Sequence, residues 1–193
     1  MVRVAVTHHD LRRLAQGLER PASSFVDWLA PDAVDMTNEP GSFVELREGR
    51  RLMVLAQSGG ACHLLDPNQR CTAYAWRPLD CQLYPLDLSR DEAGAVVGVA
   101  RLDPQGCGDE AGQIADVNEL GANDELRWRE LGEYQAHVAR WNRLAGHRRR
   151  FRRQPGDAGE FFSFLGLDEE TREADFARAL ATVHASTELG YPK

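Results

Sequence analysis

Apolar residues recur at helical spacing at Leu11, Leu14, Ala15 and Leu18, giving one face of a helix. Thr7, with Asp10 three places on, supplies the capping box that starts it. Pro21 to Leu29 reads as a second short helix ending before Pro31, and residues 30–41 read as a loop. The period then shortens to two. Ser42–Leu46 and Arg51–Leu55 predict strands across a Glu48-Gly49-Arg50 turn, and Ala95–Ala100 predicts another strand after Gly94. Further on, Trp128, Leu131, Tyr134, Val138, Trp141 and Ala145 return to three- and four-residue intervals, a helix of several turns that Gly146 is placed to stop. Phe161-Phe162-Ser163-Phe164-Leu165 is an apolar patch that calls for burial on that helix. Asp168 to about His184 reads as a last helix, and Glu188–Lys193 as a loose tail.

The elements predict an α+β fold: a small antiparallel sheet, a cysteine-bearing loop region, flanking helices and a C-terminal helical extension. The expected division is residues 1–110 as a cysteine-cluster domain and 111–193 as a helical extension packed on it. The length of 193 residues and the 42% hydrophobic content suffice for a sizeable core. A formal net charge of −7 argues against general binding to nucleic acid or to acidic membranes. No apolar run approaches the ~20 residues of a membrane span, and no signal-peptide core opens the chain. The expected compartment is the reducing cytoplasm, where cysteines are buried, catalytic or metal-bound rather than paired.

Three of the four cysteines, Cys62, Cys71 and Cys81, fall between Gly60 and Pro85, and Cys107 follows. Asp66-Pro67-Asn68-Gln69 suits a type I turn. With Asp66 opposite Gln69, Leu64 faces Cys71, and Cys62 and Cys71 become diagonal neighbours about 7–8 Å apart. That is long for a disulfide and more comfortable for two thiolates sharing an ion. Arg77-Pro78 predicts a short helix towards Leu83 carrying Cys81 near its start, where a thiolate is favoured. Thiolates suit zinc and iron–sulfur clusters. Spacings of eight, nine and 25 intervening residues are not the paired C-x-x-C of a zinc ribbon. Four cysteines packed without an ion is the competing reading.

Cys62, Leu65, Asp66, Cys71, Tyr74, Arg77, Pro78, Cys81 and Pro85 carry the pattern C-x-L-L-D-x-x-x-x-C-x-x-Y-x-x-R-P-x-x-C-x-x-Y-P. This resembles the core of the YkgJ-type cysteine-cluster family of zinc- or iron-chelating domains. Cys107 between Gly106 and Gly108 resembles the family's later cysteine, and Val4-Ala-Val-Thr7 through Leu14 resembles the segment opening its first helix. The resemblance spans residues 2–108. It implies a metal-binding protein whose ligands are Cys62, Cys71, Cys81 and Cys107, with zinc or iron/iron–sulfur as cofactor. The family ordinarily carries C-x-x-C-x-x-C-C just before Val4. Its absence after Met1 implies either a start further upstream or a reduced member with four thiols, the number that closes one tetrahedral site.

Other candidates are weaker. His8 and His9 are candidate replacement ligands, but read more simply as first-turn surface residues; His63 stands beside a cysteine that already supplies a ligand. Ser58-Gly59-Gly60 reads as a flexible entry to Cys62 and lacks the spacing and Lys-Ser/Thr ending of a phosphate loop. Flagellin lysine N-methylases resemble the same family, so the resemblance also allows a cluster-dependent protein-lysine N-methyltransferase-like enzyme, though no Gly-rich cofactor loop is present. No catalytic residue is assigned. Arg148, Arg149, Arg150, Arg152 and Arg153 around Phe151 form a basic patch suited to nucleic acid or an acidic protein partner, or else a solvated helix end.

Overall fold

A computed structural model describes residues 3–34, 40–91, 96–101, 117–151 and 153–168. The predicted first helix is α1 (His8–Leu18), and its capping box forms as expected. The Thr7 hydroxyl accepts the Asp10 N–H at 3.3 Å, and the Asp10 carboxylate accepts the Thr7 N–H at 2.9 Å. Leu11, Leu14 and Ala15 form its buried face.

The second predicted helix is only a single turn, Ala22–Phe25, which leads directly into β1 (Val26–Leu29). Four residues cannot hold a helix against an open strand edge, and Val26 and Trp28 suit a pleated surface. β1 pairs antiparallel with β3 (Gly49–Leu55), and β3 with β2 (Phe43–Leu46), so that β3 is central. The β2–β3 turn is Arg47-Glu48, with Gly49 at φ 105° opposite Leu46. Beyond the start of β2, residues 4–6 continue the edge: the Leu55 N–H donates to the Val4 carbonyl at 2.8 Å, and Ala5 bridges Val54.

Alternation divides the sheet into two faces. Val44, Leu46, Met53 and Leu55 enter the main core with α1, while Phe43, Leu52 and Val54 form a smaller cluster with Leu29 and Val34. The long helix α3 runs Val117–Arg150, past Gly146, where a Cβ would meet nothing. A glycine costs a helix only about 1 kcal/mol, and ion pairs beyond it hold the extra turn (below). Tyr134, Val138 and Trp141 join the main core. α3 also covers the outer edge of β2. The Asn142 side chain takes the Glu45 N–H and donates to the Phe43 carbonyl, each at 2.8 Å, and the Trp141 indole N–H donates to the Glu45 carbonyl at 2.9 Å. An otherwise open strand edge is thereby satisfied.

β4 (Gln57–Ser58) and β5 (Ala61–Cys62) make a minimal ribbon; α2 (Leu79–Leu83) follows. β6 (Leu86–Arg90), which has no clear sequence signal, pairs with the expected strand, β7 (Val96–Arg101). The aromatic patch forms α4 (Ala158–Phe164), capped by Asp157 and Glu160, and packs on the long helix as expected, with Phe161 and Trp141 ring centres 5.2 Å apart. The expected last helix from Asp168 and the tail lie outside the described residues, apart from Asp168 itself. No helix among the described residues is long and apolar enough to cross a membrane.

Candidate metal centre

A tight corner delivers the first thiol. β4 and β5 pair Gln57 with Cys62 and Ser58 with Ala61. Between them, Gly59 and Gly60 both have positive φ, 58° and 88°. This is the two-residue hairpin turn whose twist matches the strands, and glycine adopts it without steric cost. The predicted flexible entry is thus a defined turn.

The chain turns again after Cys62, the Leu65 N–H donating to its carbonyl at 3.1 Å. The Asp66 turn forms as read: the Gln69 N–H donates to the Asp66 carbonyl at 3.0 Å, and the Asp66 carboxylate accepts the N–H groups of Asn68 and Arg70 at 2.8 Å each. Gln69, however, takes the left-handed conformation at φ 63° and adds a residue to the loop. Cys71 therefore opposes Leu65 rather than Leu64, a one-residue correction to the expected register. Cys62 and Cys71 are half-buried against the main core.

Cys81 sits half-buried in α2, the short helix expected after Pro78. Two charged contacts root this helix. The Leu79 N–H donates to Asp10 at 3.1 Å, and the Asp80 carboxylate meets the Arg127 guanidinium. Burial pushes the Asp80 carboxyl above its usual range, with Arg127 pulling the other way. Asp10 also receives Arg13 at 2.5 Å, and Arg13 continues to Glu130 at 2.6 Å. This network encloses a cleft between α1, α2 and α3, lined in part by Thr7, Asp80, Arg127 and Tyr134. Its carboxylates hold arginines and backbone.

No disulfide joins Cys62, Cys71 and Cys81 to one another. Cys107 lies outside the described residues, with the turn at 103–106 expected to deliver it. Among the described residues, no three His, Cys, Asp or Glu side chains are arranged as a metal-holding group.

His63 is held more firmly than its sequence position implies. Its backbone N–H donates to the Ala56 carbonyl at 3.1 Å, and its ring Nδ1 lies 3.0 Å from the same oxygen. The ring stacks on Phe25 at 5.8 Å. Nε2 is buried and has no hydrogen-bond partner. His8, expected at the surface, is only 3% exposed. Its ring centre lies 4.0 Å from that of His9 and 5.0 Å from that of His137. Burial first, then His9, Arg12 and His137, lower its pKa to about 3. His9 pairs instead with Glu133 at 2.8 Å.

The basic patch is partly used within the fold. Arg149 pairs with Glu45 at 2.8 Å and Arg148 with Glu160 at 3.2 Å, while Arg150 and Arg153 are exposed. Phe151 is 72% exposed, and Arg152 lies outside the described residues.

Comparison with known proteins gives one family. The CxxCxxCC model, described as a putative zinc- or iron-chelating domain, matches residues 5–107. Neither the curated proteins nor the solved structures gave a match.

Proposed function

The chain belongs to the CxxCxxCC family, described as a putative zinc- or iron-chelating domain, and from that premise we propose that it binds zinc or iron through donors drawn from Cys62, Cys71, Cys81 and Cys107. The observation that carries this reading is that all four thiols of the sequence fall within the matched residues 5–107. The donors fit such an ion in kind. Thiolate sulfur selects zinc and iron–sulfur centres, Cys62 and Cys71 are partly shielded at the edge of one core, and an imidazole with an unpaired nitrogen stands next to Cys62. A site closed by four protein ligands supplies cross-linking or, with iron and sulfide, electron storage, and leaves no position for a hydrolytic water. The reducing cytoplasm, where such thiols stay available, is the compartment this reading requires.

The test is metal analysis of protein purified without oxygen and without an affinity tag. One zinc per chain, or iron with visible absorption, is expected, and Cys71→Ala should lower it. Stoichiometry well below one, unchanged by that substitution, rejects the proposal.

A further inference from the structure

We infer that His63 is a ligand of the same ion, its Nε2 joining thiolates in a mixed sulfur–nitrogen site. The inference rests on the metal-binding reading above.

A ring nitrogen 3.0 Å from a carbonyl oxygen must carry a hydrogen, so Nδ1 of His63 is the donor to Ala56. In a neutral ring Nε2 then presents a bare lone pair. That atom is buried and meets no donor. Leaving a buried acceptor unpaired is costly, so native folds rarely do it without a use. The conformation is also fixed beforehand: the N–H groups of residue 63's backbone and ring share one carbonyl, and Phe25 covers a ring face. An imidazole with Nδ1–H anchored on a backbone carbonyl and Nε2 held bare is the arrangement metal-binding histidines use, the anchor fixing the tautomer and raising the basicity of the other nitrogen.

Position selects His63 over the buried His8. His8 also has an unpaired nitrogen, Nδ1, but its ring neighbours are His9, Tyr134 and His137. His63 directly follows Cys62, on the segment that turns back to bring Cys71 opposite Leu65. With His63 included there are five donors for the four positions of a tetrahedral zinc. One of the four thiols is then dispensable.

Cobalt(II) titration and X-ray absorption of the zinc-loaded protein test this in the full chain. The wild-type spectra should show both nitrogen and sulfur ligation. His63→Ala should weaken zinc binding by at least about 10–100-fold and remove the nitrogen contribution. His63→Cys should keep binding while strengthening the thiolate charge-transfer bands, which covers the case of an alanine variant that folds poorly. An all-sulfur wild-type site, or His63→Ala with unchanged affinity and spectrum, overturns the role of His63 and leaves the metal-binding reading standing. No zinc or cobalt bound by the wild type overturns both.

Discussion

The carboxylate of Asp10 accepts the backbone N–H of Leu79 at 3.1 Å, across 69 positions of sequence. The same side chain takes the Thr7 N–H and hydroxyl, each at 2.9 Å, and the Arg13 guanidinium. One buried charge therefore caps α1 and fixes the start of α2, the helix that carries Cys81.

Asp10→Asn keeps the shape and removes the charge, leaving Arg13 with Glu130 and weakening every bond the carboxylate accepts. The expected loss is about 2–4 kcal/mol. Thr7→Ala removes only the cap and should cost about 1 kcal/mol. Urea denaturation of both variants checks the order. Alkylation of Cys81 should also quicken in Asp10→Asn alone. Equal losses in the two variants would mean that Leu79 and Arg13 draw nothing from Asp10.

Gly17, near the end of α1, lies against Trp76: a Cβ there would come within 2.2 Å of the Trp76 ring. Alanine normally stabilises a helix interior over glycine by about 1 kcal/mol. Here the collision should outweigh that gain, so Gly17→Ala is expected to destabilise by about 1–3 kcal/mol. In a Trp76→Ala background the sign should reverse. Trp76 is 44% exposed, so removing it is tolerable for the core. A double-mutant cycle reads the reversal directly, and a stabilising Gly17→Ala in the intact protein would show that the ring moves aside freely.

These two contacts mark how far the sequence is legible. The capping box of Thr7 and Asp10 is local and readable, as are the Asp66 turn and the α3 stripe from Leu131 to Ala145, whereas Trp128, expected to open that stripe, is 54% exposed. The Asp10–Leu79 and Gly17–Trp76 contacts join distant segments, and no periodicity records them. Val26–Leu29 differs from its expected helix because three apolar residues around Asp27 suit a helix or a strand equally until β3 offers its edge. The register at Cys71 failed because Gln69 bears no mark of its left-handed conformation. At the site, residue types pointed to the thiols, whereas the value of His63 comes from Ala56 and Phe25, which sequence does not place beside it. The Gly146 stop was overridden by ion pairs from Arg148 and Arg149 to other elements.

His8 makes stability depend on pH in a definite direction. Its pKa falls from 6.5 in the unfolded chain to about 3 in the fold, so between those values the unfolded state binds the extra proton. Its contribution is fully present above about pH 6.5 and is lost progressively as pH falls towards 3. From pH 7 to pH 5 the expected loss is about 2 kcal/mol. His8→Phe, an uncharged ring of similar shape facing Tyr134 and His137, should flatten that slope. Urea midpoints at the two pH values measure it; a slope that persists in the variant assigns the effect to other groups.

Binding of the ion to the folded chain alone must raise stability by mass action. At free zinc one hundred times the dissociation constant, the gain is about 2.7 kcal/mol. Thermal unfolding of anaerobic protein should therefore shift upward with zinc and return on adding a chelator. Cys71→Ser tests whether that shift belongs to the thiols. Cys71 is half-buried beside the core, so its metal-free stability should change by about 1 kcal/mol or less, while the zinc-dependent increment should disappear. The two effects separate cleanly: a variant that loses stability without zinc but keeps the full increment has damaged packing and left the ion's ligands in place.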